Sequence, residues 1–341
     1  MYKWQQSQWQ HIMQQGAKMP HALLLRGRAG TGKHDFALNV AKAILCSQAS
    51  ALQLACGNCP SCHWFAEGTH PDFMLISAED AENADDGLTT TSITTPKKKT
   101  AKKSQISVAK IRQLLDYLTL TSHQVNSYRV IIISSADMLN GASANALLKM
   151  LEEPPTNTLF LLVTSQPQRL LPTITSRCQA VNMPLPCRTD ALAWLASQLV
   201  KQQLNNVENV LDLAGGAPFL ALQIAEEGEL SASLLKNLAL GAKLDPFGCA
   251  PLFLGCGMER AIDTLQKWLF DVTAYKLAQS LRYHAQHVNS LQVLAKSVNL
   301  SLLLGFQSKL LEAKKTANHP LSNEAQLENI LLQYTQIFKA H

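Results

Sequence analysis

The run Ala22-Leu23-Leu24-Leu25, followed by Gly27-Arg28-Ala29-Gly30-Thr31-Gly32-Lys33-His34, constrains the fold more than any other stretch of the chain. A short apolar segment that ends in closely spaced glycines and opens into the amphipathic segment Asp35 to Leu45 predicts a buried strand, a tight turn and a helix. A strand that exits into a helix cannot pair with the next strand as a hairpin. Further strand-like runs recur near 73–76, 130–133, 159–163 and 180–183, with helical segments between them. One of these segments places Ile111, Leu114, Leu115 and Leu118 at i, i+3, i+4 and i+7. The expected fold class is α/β, a parallel sheet covered by helices on both faces.

After Pro184 and Pro186 the strand pattern does not return. Leu192, Leu195, Ala196 and Leu199 share one helical face and predict a small helical domain, a lid, over 185–228. Ala261 to Phe270, Tyr275 to Tyr283 and Asn323 to Phe338 predict a third, helical domain over 230–341. Their apolar faces are expected to pack on one another or on neighbouring subunits.

The glycine loop reads as GxxxxGK with the final Ser/Thr replaced by His. Gly27, Gly30 and Gly32 let backbone N–H groups curl around phosphate oxygens, and Lys33 is placed to reach the outer phosphates of ATP or ADP. His34 puts the metal-binding part of such a site in doubt, and a glycine-rich turn with no ligand is the plainer alternative. The second half of the chemistry is weaker still. Val130 to Ile133 reads as a buried parallel strand, which a nucleotide hydrolase would end in Asp-Glu to hold magnesium and polarise water. Here Ser134 and Ser135 follow. A hydroxyl cannot serve as a carboxylate base, so weak, largely vestigial nucleotide binding without hydrolysis is expected.

Eight cysteines are present, and Cys56-x2-Cys59-x2-Cys62 with Cys46 upstream supplies four thiolates within a short compass. That is enough for a tetrahedral structural zinc site over 46–62, with Gly57, Asn58, Pro60 and Ser61 providing turn chemistry. The opening Met1-Tyr2-Lys3-Trp4-Gln5 has no apolar signal run, so reduced thiols and a cytoplasmic location are expected rather than disulfides. An iron–sulfur cluster is a second alternative, weakened by the missing C-x3-C-P end. His63 and His70 are further possible ligands. Cys178, Cys187, Cys249 and Cys256 read as buried small hydrophobes.

With 341 residues, 47% of them hydrophobic, and no apolar run long enough to cross a bilayer, two or three soluble domains are expected. The formal charge of +5 is too small to mark a dedicated nucleic-acid binder. Residues 78–107 are of low complexity, with five acids, a threonine-rich run and five lysines in turn, and read as a disordered insert. No Ser-His-Asp set, paired-carboxylate hydrolase motif or dinucleotide fingerprint stands out. Glu152-Glu153 is adjacent in sequence and is not read as a general acid/base pair.

Ser143 to Met150 leads into Leu151-Glu152-Glu153-Pro154-Pro155, then the strand Leu159 to Val163, then Thr175-Ser176-Arg177-Cys178. This order resembles the delta prime family of bacterial DNA polymerase III clamp-loader subunits, of the AAA+ class, over most of the first 220 residues. Gly68-Thr69-His70-Pro71-Asp72 after the cysteine knuckle is similar to that family too. The resemblance implies an AAA+ domain over 1–184 carrying the zinc knuckle, the helical lid over 185–228 and a C-terminal helical collar over 230–341. It implies that Arg177 projects into the ATP site of a neighbouring subunit as an arginine finger, where a planar guanidinium suits phosphate geometry. An Arg that only fixes a loop by salt bridges is the plainer alternative. Phe219, within Gly215-Gly216-Ala217-Pro218-Phe219, stands where an active subunit is expected to carry a nucleotide-sensing Arg.

Together these imply a non-hydrolysing subunit of the polymerase III holoenzyme, a nucleotidyltransferase, partnered by tau/gamma and delta subunits in a hetero-oligomeric ring, the sliding clamp and primed DNA. A catalytically active tau/gamma-type ATPase is the main alternative, favoured by Lys33 and opposed by Ser134, Ser135 and Phe219. A zinc-dependent DNA-binding protein is a third, resting on the knuckle alone.

Overall fold

The structure, a computed structural model, describes residues 1–48, 54–78, 105–119, 128–199, 207–226, 228–255, 257–316 and 323–338. The chain divides into two compact units, Met1–Asp190 and Ala191–His341.

In the first unit, β1 (Ala22–Arg26), β2 (Phe73–Ile76), β3 (Arg129–Ile133), β4 (Thr158–Thr164) and β5 (Gln179–Asn182) form one sheet in the order β2-β3-β4-β1-β5. Every pairing is parallel. The five strands match the five runs expected from the sequence. Helices α1 (Gln6–Met13), α2 (Lys33–Leu45), α3 (Pro60–Glu67), α4 (Val108–Thr119), α5 (Gly141–Glu152) and α6 (Pro172–Thr175) complete the unit.

Strand periodicity sorts the apolar side chains to two faces. Leu23, Leu25, Val130, Ile132, Leu159 and Leu161 cluster with Phe36, Ala37 and Val40 of α2 and with Trp9 and Ile12 of α1. Leu24, Ile131, Ile133, Phe160 and Leu162 cluster with Ile111 and Leu114 of α4 and Leu147 and Met150 of α5. Burying each large aliphatic or aromatic group contributes about 1.5–3 kcal/mol, so strands covered on both faces hold the loops at their ends firmly. The chain leaves β1 for β2 at one edge of the sheet and finishes on β5 at the other, so the turn after β1 lies at the point where the strand order reverses. Open parallel sheets bind ligands at such a point.

Gly27 has a packing role that its place in the glycine loop concealed. A Cβ on Gly27 would lie 2.2 Å from the Met183 carbonyl oxygen, where the chain leaving β5 crosses the end of β1. Backbone cannot yield as a flexible side chain can. Gly27→Ala should therefore destabilise the first unit by about 3 kcal/mol, read as a lowered urea midpoint; an unchanged midpoint would contradict the close approach.

Most of the low-complexity insert expected over 78–107 lies outside the described residues. Its far margin is ordered, contrary to expectation. Ile106 is fully buried, forms a parallel bridge with Leu139, and its amide donates to the Met138 carbonyl at 3.0 Å. The isolated isoleucine sits among polar residues in sequence and gains its burial from the loop after β3.

α7 (Arg188–Gln198) leads into the second unit, followed by α8 (Val207–Leu213) and α9 (Pro218–Glu226). Ala191, Leu195, Leu211 and Ala221 form the core of this group. A separate and larger core gathers α10 (Gly228–Leu238), α11 (Pro246–Leu254), α12 (Met258–Ala278), α13 (Val288–Ser297), α14 (Leu300–Thr316) and α15 (Asn323–Gln336) around Trp268, Phe253 and Leu331. The indole of Trp268 donates to the Tyr334 hydroxyl at 3.0 Å, and that hydroxyl donates to the Leu238 carbonyl at 2.6 Å. Asp271, fully buried, accepts from the amides of Arg282, Tyr283 and His284 and pairs with His284 Nδ1 at 2.9 Å. Burial pushes its carboxyl up, but these donors prevail and hold it below the usual carboxylate range. Among the described residues no helix is long and apolar enough to cross a membrane.

Candidate functional site

The phosphate loop opens directly from β1. Gly30 and Gly32 adopt φ of 76° and 79°, a left-handed conformation that costs glycine nothing, and Gly32 caps the start of α2. Lys33 is buried, and its ammonium donates to the Arg28 carbonyl at 2.5 Å. Burial pushes Lys33 down to about 8, while the charge of Asp137 pulls the other way. The Thr31 hydroxyl also donates to the Arg28 carbonyl, at 3.1 Å, so the loop closes on its own backbone.

The altered hydrolysis positions meet. His34 Nδ1 and Ser134 Oγ are 3.2 Å apart, a hydrogen bond that joins the first turn of α2 to the end of β3. Ser135 is exposed, with φ of 57°. Sequence reasoning passed over Asp137, the one carboxylate in the Ser134–Asp137 stretch. Its Oδ1 accepts from the Thr164 hydroxyl at 2.8 Å, at the end of β4, and its field reaches Lys33. An acid so soon after the strand was the available signal. It lies three positions beyond the place a hydrolase would use.

The four cysteines converge. Cys46 follows α2 directly, Cys59 caps α3, Cys62 lies in the first turn of α3, and Cys56 is on the connecting segment. Their sulfurs all lie within 4.8 Å of one another, with Cys46–Cys56 at 3.5 Å, Cys46–Cys59 at 3.8 Å and Cys56–Cys62 at 4.0 Å. Disulfide sulfurs would be about 2.05 Å apart, so none is bonded to another. Four sulfurs placed tetrahedrally at about 2.3 Å from one ion are about 3.8 Å apart, so the cluster fits a metal ion of zinc's size and softness. Cys59 is drawn down to about 5, because the Ser47 hydroxyl and the Cys62 and Ser47 amides outweigh its burial, whereas burial lifts Cys62 to about 12.

Neither histidine near the knuckle belongs to the cluster. His63 is exposed on α3. His70 is buried, and its Nδ1 accepts from the Asp72 amide at 3.1 Å, which leaves the proton on Nε2 to reach Ser61 Oγ at 2.8 Å. Ser61 in turn donates to the Leu45 carbonyl at 2.5 Å. His70 thus staples the turn before β2 to the adjoining ends of α2 and α3. Of the other cysteines, Cys178 and Cys249 are buried, with Cys178 raised to about 11 by burial. Cys187 is exposed, contrary to expectation, and its sulfur contacts Asp190 Oδ2 at 2.9 Å at the start of α7. Cys256 lies outside the described residues.

Arg177 sits between α6 and β5. One guanidinium nitrogen donates to the Thr173 carbonyl at 3.0 Å and the other pairs with Glu152 at 2.7 Å. The two side chains are 36% and 48% exposed, so this ion pair holds the arginine with only about 0–1 kcal/mol and yields readily to a stronger anion. Phe219, on α9 in the second unit, packs against Trp194 with the rings tilted by 35° and their centroids 4.6 Å apart, and gives that unit's smaller core an aromatic contact.

The loop without hydrolytic acids, the cysteine cluster and the half-buried arginine all fall within one stretch of known likeness. A family profile described as DNA polymerase III, delta subunit, matches residues 3–186. The chain belongs to this family. A DNA polymerase III subunit delta prime of Pseudomonas aeruginosa is 36% identical over 228 residues, 67% of this chain and 62% of the relative. The delta prime subunit of Haemophilus influenzae is 30% identical over 262 residues, 75% of this chain and 72% of the relative. A gamma subunit of the same polymerase from Buchnera aphidicola is 30% identical over 213 residues, 61% of this chain and 52% of its own. The match thus spans less than two thirds of the length of the Pseudomonas delta prime protein.

Proposed function

We propose that the chain is a delta prime subunit of a bacterial replicative clamp loader, a non-hydrolysing partner that supplies Arg177 to a neighbouring ATPase subunit and helps place the sliding clamp on primed DNA. The observation that carries this reading is the His34–Ser134 hydrogen bond, in which the two positions a hydrolase needs for magnesium satisfy each other. Arg177 supports it, since a weakly held guanidinium at an exposed turn can exchange Glu152 for a phosphate oxygen. Zinc is the metal proposed for Cys46, Cys56, Cys59 and Cys62, where it would fix the junction of α2 and α3. The lid over 185–228 and the collar over 230–341 are proposed on the two separate apolar cores of the second unit. ATP or ADP would bind weakly, through Gly30, Gly32 and Lys33.

The likeness to a gamma subunit favours the active-ATPase alternative, and Ser134 and Ser135 oppose it. Co-assembly tests the proposal. Mixed with tau/gamma-type and delta subunits, the chain should elute with them as one hetero-oligomer on size-exclusion chromatography. Elution of the chain by itself, or as an ATP-hydrolysing assembly of its own copies, would overturn the reading.

A further inference from the structure

The first residues of the chain form a strap across the phosphate loop. The 3-10 turn Lys3–Gln5 brings Trp4 Nε1 to the Thr31 carbonyl at 3.1 Å. Gln5 Nε2 bridges the Thr31 and Gly32 carbonyls at 3.1 and 2.9 Å. The Tyr2 hydroxyl donates to Asp35 Oδ2 at 2.9 Å, and the Tyr2 and Trp4 rings stack with centroids 5.0 Å apart. Gln5 is fully buried, and its Oε1 has no partner, so the carboxamide is held in place by its donors alone.

The Gly32 carbonyl also accepts from the Phe36 amide at 3.0 Å as α2 begins, so the strap reinforces the helix at Gly32 and, through two donors, fixes the Thr31 carbonyl. All peptides here are trans, and in a trans peptide the N–H points away from the preceding C=O. With the Thr31 and Gly32 carbonyls turned to the strap, the Gly32 and Lys33 amides face away from it, as a nest for an anion requires. We propose that Gln5, backed by Trp4, is a positioning residue that holds these amides ready for a diphosphate group taken up without a metal ion. The metal-free character follows from the His34–Ser134 bond, which uses the two side chains through which a hydrolase would engage its ion. This inference rests on the reading of the site as non-hydrolysing. Two sources share the ligand chemistry, a nucleoside diphosphate and free pyrophosphate.

The test is calorimetric titration of the full chain with ADP and, separately, with pyrophosphate, each in EDTA and in magnesium. Wild type should bind at least one probe in EDTA, with Kd changed less than about threefold by magnesium. Gln5→Ala should weaken binding about tenfold, and Trp4→Phe, which keeps the ring and loses the N–H donor, about threefold. If Gln5→Ala fails to fold, Trp4→Phe carries the test. Gln5→Ala loses two buried hydrogen bonds and should melt lower, so its binding is read at a temperature where it is fully folded, and Trp4→Phe, whose midpoint should stay near wild type, separates positioning from general damage. The double variant His34→Thr with Ser134→Asp should make binding magnesium-dependent. Equal loss for both probes assigns the effect to the phosphates, and loss for ADP alone assigns the ligand to a nucleotide. The proposal is overturned if wild type binds neither probe at millimolar concentration, if magnesium tightens wild-type binding about tenfold, or if both strap variants bind as wild type does. Phosphate release from ATP, followed in parallel, reports independently on the non-hydrolysing reading.

Discussion

Replacing Cys59 with Ser, or stripping metal with a chelator, is expected to lower the stability of the first unit by about 3 kcal/mol or more. Cys59 is both a prospective ligand and the residue that opens α3, where its sulfur accepts the Cys62 amide. Three thiolates left around an ion lose the closed tetrahedral shell, and without the ion four sulfurs within 4.8 Å repel one another when deprotonated. The α2 end of the knuckle is continuous with the helix that begins at Lys33, so release of Cys46 loosens the phosphate loop's own support. Purified reduced protein should contain about one zinc per chain by elemental analysis. Zinc-free protein of unchanged thermal midpoint, or an iron–sulfur absorption band, would contradict the assignment.

Arg177→Ala is expected to leave folding and ring assembly intact and to lower ATP turnover at the adjoining site about 10³-fold. Its ties within the chain, to Glu152 and the Thr173 carbonyl, are exposed and weak, so truncation should cost little stability. At a neighbour's γ-phosphate the same guanidinium would stabilise charge that develops only in the transition state. Other sites in the ring would keep their own fingers, so steady-state turnover should fall less than the single site does. Arg177→Lys should rescue poorly, because a point charge lacks the planar fork. Single-turnover kinetics on the assembled complex measure the effect, and wild-type rates from a normally assembled variant would show that Arg177 only fixes its loop.

The sheet was legible because its central strands β1, β3 and β4 are apolar runs, the pattern that parallel strands buried on both faces demand, whereas the edge strand β5, Gln-Ala-Val-Asn, buries only Val181. The cysteine cluster was equally open to reading, since four sulfurs within 17 positions have few ways to meet other than around one point. Contacts between distant segments left no such mark. Gly27 looked like a phosphate glycine because its conflict is with Met183, far along the chain. Gln5 carried no signal, since one glutamine near a terminus is ordinary until its amide is found on two loop carbonyls. Cys187 was misjudged because cysteine is usually buried, whereas here it opens a helix beside Asp190. The His34–Ser134 bond joins two substitutions that the sequence presents as separate losses.

On the proposed reading, this chain serves a neighbour's ATP and does not turn over its own. The most direct measurement is magnesium-dependent ATP turnover on primed DNA with the sliding clamp, for the chain alone, for a tau/gamma-type and delta subunit mixture alone, and for all of them together. No turnover is expected from the chain alone, and a marked rise when it joins the mixture. Turnover by the isolated chain at the rate of a working ATPase, abolished by Lys33→Ala, would contradict this reading.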